Sequence, residues 1–124
     1  MTPETLLHRQ VHPAWMQEGR ITSQAFRPTP KDAEKLSVYN GDRVDARGAW
    51  EHFTGTLGFA SAGGVAVSVG ESERVGLKAT EDPLESFPEH AIIDFAGYGA
   101  SQTKKAAERL RAFAIERGWL YRPE

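Results

Sequence analysis

Apolar and polar positions alternate along this chain in short runs separated by glycine and proline, which is the pattern of a small α+β domain. Leu6 to Val11 reads as a first strand, stopped by His12-Pro13. Ala14 to Gln17 reads as a turn or a single helical turn closed by Gly19, and Arg20 to Phe26 as a second strand. Leu36 to Tyr39 forms a short third strand, ended by Asn40-Gly41-Asp42. Asp45 is placed to cap a helix from about Ala46 to Phe53, with Ala49, Trp50 and Phe53 on one side and Gly55 and Gly58 as its stop. The β-branched run Val65 to Val69 is the clearest strand. Gly70 to Pro88 reads as an acidic loop with a short turn near Glu71 to Val75. The mostly apolar run Ala91 to Phe95 then predicts a strand buried on both faces.

The last helix has the strongest period. Ala106, Ala107, Leu110, Phe113 and Ala114 form one stripe, Ser101 stands as the N-cap, and Gly118 closes the C-terminus. The expected fold is therefore a single α+β domain over residues 1–124. Its sheet is small and mixed or mainly antiparallel, covered by about two helices, with the C-terminal helix at Gln102–Arg117. Trp119 to Tyr121 adds a short edge strand or packs beneath that helix. An exposed apolar patch there would favour a structural subunit.

Composition narrows the class. A chain of 124 residues supports one core, and no run approaches the roughly 20 apolar residues of a membrane span. The chain has no cysteine, which removes disulfides, thiolate catalysis and cysteine zinc sites and fits a reducing, cytoplasmic setting. No basic segment leads into an apolar stretch at the start, so a secretory signal is not expected. A net charge of −2 speaks against general nucleic-acid binding. The charge is nevertheless uneven, with six acids against two bases over residues 71–89 and five bases against two acids over residues 104–117.

No complete catalytic motif is present. His8 and His12 are four apart, but on a strand that spacing separates side chains by about 13 Å, too far for one ion. No metal site and no cofactor is expected, and His8, His12 and His90 read as surface or hydrogen-bonded structural residues. Gly58-Phe-Ala-Ser61-Ala-Gly63 has the wrong spacing for a nucleophile elbow. The link through Gly97, Gly99, Ser101 and Lys104 (with Lys105) runs from a strand into a helix N-terminus and is a candidate anion site, although Gln102 stands where a dinucleotide fingerprint needs glycine.

The leading candidate surface is residues 20–32. Arg20, Ser23, Gln24, Arg27, Thr29, Lys31 and Asp32 offer hydrogen-bonding groups on a segment stiffened by Pro28 and Pro30. This suits recognition of a protein partner or a small anionic ligand, and equally a guarded sheet edge.

A second, looser pattern places His8 or Arg9 early on a strand, Leu36-Ser37-Val38-Tyr39 in the middle, and Glu89 just before Ala91 to Phe95. This order resembles that of ADP-ribosyltransferase-like proteins. The resemblance implies a nucleotide- or NAD-using enzyme, in which Arg9 or His8 seats NAD, Tyr39 packs on nicotinamide and Glu89 supports the transferring ribose.

Overall fold

A computed structural model of the protein describes residues 1–29 and 34–123, and it is an α+β fold. The strands are β1 (Leu6–Gln10), β2 (Met16–Gln17), β3 (Arg20–Ile21), β4 (Lys35–Asn40), β5 (Gly64–Ser68), β6 (Lys78–Glu81) and β7 (His90–Asp94). Three α-helices join them: α1 (Ala46–Glu51), α2 (Val69–Arg74) and α3 (Ala100–Arg117). The main sheet has the order β5-β1-β4-β7-β6, and every pairing in it is antiparallel.

The alternation of side chains across a pleated strand divides this sheet into two unlike faces. On one, Leu7, Leu36, Val38, Val65, Val67, Ala91 and Ile93 are buried. They form one core with Ala106, Ala107, Leu110 and Ala114 of α3. Alanines on this stripe let the helix sit close to the sheet, while Leu110 and Phe95 supply the volume. Burying each such large side chain contributes about 2 kcal/mol.

The other face carries polar residues. Strand register aligns Ala66, His8, Tyr39 and His90 in one row across β5, β1, β4 and β7. Asp82 extends the row just past β6, its N–H donating to the His90 carbonyl at 2.9 Å.

Several local expectations change. Residues 20–26 are not one strand: β3 ends at Ile21, and Ser23–Phe26 form a 3₁₀ turn that buries Ala25 and Phe26 against α3. This explains why strand alternation yields no apolar face there. β2 and β3 make a hairpin around Glu18 and Gly19, both with positive φ, as a type I′ turn requires.

Residues 70–88 are not all loop. Ser68 and Glu71 form a reciprocal capping box that starts α2. The polar strand β6 follows at one edge of the sheet, with three of its four residues exposed. The cap of α3 is Gly99, so the helix begins two residues before Gln102, and Ser101 lies exposed in its first turn. Trp119 to Tyr121 is half-buried, with a single bridge from Tyr121 to Gly64. Lys31 and Asp32 lie outside the described residues. No described helix is long and apolar enough to cross a membrane.

A candidate functional site on the polar face of the sheet

β1 and β4 pair only at Leu7↔Asn40 and His8↔Tyr39. Beyond that point the strands part, and a cleft of about 180 Å³ opens on the polar face. His8 and Gln10 of β1, Ser37 and Tyr39 of β4, and His90 of β7 line its floor. Gln10, which pairs with Gly64 of β5, and Ser37 no longer pair with each other at this level but line the same cleft.

The walls come from two local irregularities. α1, capped by the Asp45 carboxylate on the Gly48 N–H at 2.7 Å, widens after Glu51 into a π turn over His52–Thr56. Such turns recur at functional sites because the extra residue re-aims neighbouring side chains. Here the turn brings His52 onto Tyr39, with Nδ1 2.8 Å from the phenol oxygen, and sends Phe53 and Leu57 to the cleft.

The second wall is the tight turn Leu84–Phe87, closed by reciprocal backbone bonds of 3.0 Å. Its Phe87 ring contacts Tyr39, His52 and His90 at centroid distances of 4.7, 4.6 and 5.0 Å. The rim is apolar and open: Phe59 is 57% exposed, Leu84 49% and Leu57 39%.

Two polar atoms on this floor are buried without a hydrogen-bond partner among the described residues: His8 Nδ1 and Gln10 Nε2. His8 is 4% exposed and Gln10 3%. Gln10 spends its carbonyl oxygen on the Ser61 hydroxyl at 2.8 Å, leaving its amide N–H groups unused. Burial pushes the His8 pKa below its ordinary value, against an opposing pull from Asp45. The ring is therefore neutral at pH 7. Gly41 lets the strand end close over it, since a Cβ there would meet the Leu6 carbonyl oxygen and stand 3.3 Å from His8 Nε2.

His90 is oriented on both sides of its ring. Nδ1 lies 3.0 Å from the Asp82 carbonyl oxygen and 3.1 Å from its carboxylate Oδ2, while Nε2 lies 3.1 Å from Ser37 Oγ. Both partners of Nδ1 are acceptors, so Nδ1 carries the proton and Nε2 presents its lone pair to the Ser37 hydroxyl in the neutral ring.

The residues named from sequence are distributed as follows. Tyr39 is on the cleft floor. Glu89 is half-buried at its edge, where its charge adds to the effect of burial in raising the Tyr39 pKa. Arg9 is directed to the opposite face, donating to the Ala25 carbonyl at 2.7 Å and the Ser37 carbonyl at 2.8 Å, with its guanidinium 5.1 Å from the Trp15 ring centre. His8, the other choice for that early position, is the direct cross-strand partner of Tyr39.

Ser23, Gln24, Arg27 and Thr29 line a separate, open groove of about 580 Å³ with Trp15 and Gln17. Arg20 lies apart from them, beside Arg111 and Trp119. Gly97 turns with φ of +87°, and the Gly99 N–H at the start of α3 is taken by the Gln102 side chain at 3.0 Å. Lys104 is exposed on that helix. No cluster of metal-ligating side chains occurs among the described residues.

Sequence alone assigns no role to His52, Asp82, Phe87 or Gln10, includes Ser37 only within the run Leu36 to Tyr39, and makes His90 a structural residue. One signal was available: Ser37 and Tyr39 alternate with Leu36 and Val38, which marks a strand with one polar face. Comparison with protein-family models, curated proteins and solved structures finds no match to this chain.

Proposed function

We propose that the cleft between β1 and β4 binds a small, mostly apolar molecule with one hydrogen-bonding polar end. The observation that carries this reading is the pair of buried, unpartnered atoms, His8 Nδ1 and Gln10 Nε2, on the floor of an aromatic-walled cleft. Leaving such a group unsatisfied costs about 1–3 kcal/mol, which a ligand carbonyl or hydroxyl recovers. Apolar walls with a few placed polar groups are the usual make-up of small-molecule sites.

Benzamide and butyramide are suitable probes, because each joins a carbonyl acceptor to a small apolar body. Saturating either probe raises the melting temperature of the wild type, since a ligand at 100 times its Kd adds about 2.7 kcal/mol of stability. Gln10→Leu removes that rise. A shift that survives Gln10→Leu, or no shift with either probe, defeats the reading.

A second reading is supported by the groove at Trp15 to Thr29. Ser23, Gln24, Arg27 and Thr29 converge on one open, polar surface, which suits recognition of a protein partner or an anionic ligand. Titration with inorganic polyphosphate tests the anionic form. Heat of binding that is unchanged in Arg27→Ala removes it. The NAD-using alternative draws support from His8 facing Tyr39 with Glu89 beside them, but a cleft of about 180 Å³ accommodates a nicotinamide-sized ring and not a whole dinucleotide.

A further inference from the structure

We propose that Ser37, His90 and Asp82 form a nucleophilic acyl-transfer site that cleaves small carboxylic esters with a short apolar acyl group. The inference rests on the cleft as a small-molecule site and assigns it a chemistry. Three observations converge on it: the hydrogen-bonded series, its position at the cleft, and a spare donor in the same cleft.

The Ser37 hydroxyl stands 3.1 Å from His90 Nε2, and Asp82 holds His90 Nδ1 through two acceptors. A serine nucleophile needs this order of groups: a base within hydrogen-bond reach, and an acceptor behind it that fixes the tautomer and stabilises the imidazolium. Sheet geometry supplies it without an elbow turn. Tyr39 is the direct partner of His90 in the register, so Ser37, two residues before Tyr39 on the same face, is its diagonal neighbour. Ser37 and His90 both line the cleft, and Ser37 is exposed, as a nucleophile must be.

Gln10 completes the arrangement. Its buried Nε2 has no partner among the described residues, and Gln10 lines the same cleft as Ser37. An amide N–H there donates to the oxygen that becomes negative when the carbonyl is attacked, the role of an oxyanion donor. The acyl chain lies against Phe53, Leu57, Phe59 and Phe87.

The reaction is balanced by water alone. Ser37 Oγ bonds to the ester carbonyl carbon as its proton passes to His90 Nε2. The carbon–alkoxy bond then breaks, and the leaving oxygen takes that proton and departs as the alcohol. Water, deprotonated by the same Nε2, attacks the acyl carbon, and the bond from that carbon to Ser37 Oγ breaks as the carboxylic acid departs. The proton then returns to Ser37 Oγ.

The test uses p-nitrophenyl butyrate as substrate and an alkyl fluorophosphonate as active-site label, with butyramide as a non-reacting probe of the cleft. The wild type releases nitrophenol above the buffer rate and takes one phosphonyl group, mapped to Ser37 by mass spectrometry. Ser37→Ala loses both yet still binds butyramide. Asp82 is a positioning residue, so Asp82→Asn lowers kcat about tenfold or more while KM stays within about twofold. Asp82→Glu recovers part of the loss. Turnover that persists in Ser37→Ala, or a label found elsewhere, overturns the inference. If butyramide binds but wild type shows neither turnover nor labelling, the acyl-transfer site falls and the binding cleft stands. If neither butyramide nor benzamide binds, both fall.

Discussion

Tyr39 and His52 are joined by a 2.8 Å hydrogen bond that ties the centre of the sheet to the π turn after α1. Burial and the nearby Glu89 charge raise the Tyr39 pKa well above its ordinary value, so the phenol keeps its proton and donates it to His52 Nδ1. Tyr39→Phe keeps the ring contacts with Phe87 and removes only this bond. The expected loss is about 1 kcal/mol in urea unfolding, with unchanged m-value. A loss that Tyr39→Phe and His52→Gln show additively in the double variant would mean that the bond contributes nothing.

His8 predicts an acid weakness in the fold. Its folded-state pKa lies below the ordinary 6.5 because burial penalises the charged ring, so below that pH the unfolded chain binds the extra proton first. Stability therefore rises with pH through this window and falls as pH drops from about 6.5 toward the folded-state value. His8→Gln removes the titrating group. Melting curves from pH 7.5 to 5 should show a shallower decline for the variant than for the wild type.

Glu71 acts in the opposite helix layer and at lower pH. Burial works to raise its pKa, but bonds from Arg117 and Ser68 outweigh burial and hold it below the usual 4.5. The carboxylate meets Arg117 Nη1 at 2.7 Å and the Ser68 N–H at 2.8 Å, linking the start of α2 to the end of α3. A depressed carboxylate pKa contributes stability above the unfolded value that is lost as pH falls through the folded one. Glu71→Gln is expected to cost about 1–2 kcal/mol at pH 7 and to flatten the acid limb below pH 4.5, measured by urea titrations at each pH.

How far these features were legible from sequence depends on the range of the interaction. α3 was readable because its apolar stripe and Gly118 are local, although its start was not, since Gln102 reaches back to Gly99 and displaces Ser101 as the signal. β6 was hidden because its residues, Lys78 to Glu81, are mostly polar and exposed and carry no apolar pattern. Residues 20–26 misled because Ala25 and Phe26 are buried by a 3₁₀ turn beneath α3, a packing that no periodicity of strand or helix encodes.

The candidate site was legible only in fragments. Tyr39 and Glu89 were singled out and do lie near one another. Arg9 and Tyr39 were grouped from their order in the chain, yet they occupy opposite faces, because alternation sends residue 9 to the core side and residue 8 to the polar side.

By itself the sequence determined the α+β class, the apolar faces of the main strands, the stripe of the last helix, and the absence of cysteine chemistry. Those properties follow from side-chain pattern within a few residues. Tertiary structure alone decided that His8, Tyr39, His90 and Asp82 share one row, and that Ser37 and Gln10 line one cleft where β1 and β4 part. Strand order and register bring together residues as far apart in the chain as His8 and His90, and pairing of that kind depends on the packing of the whole sheet and not on any local run of the chain.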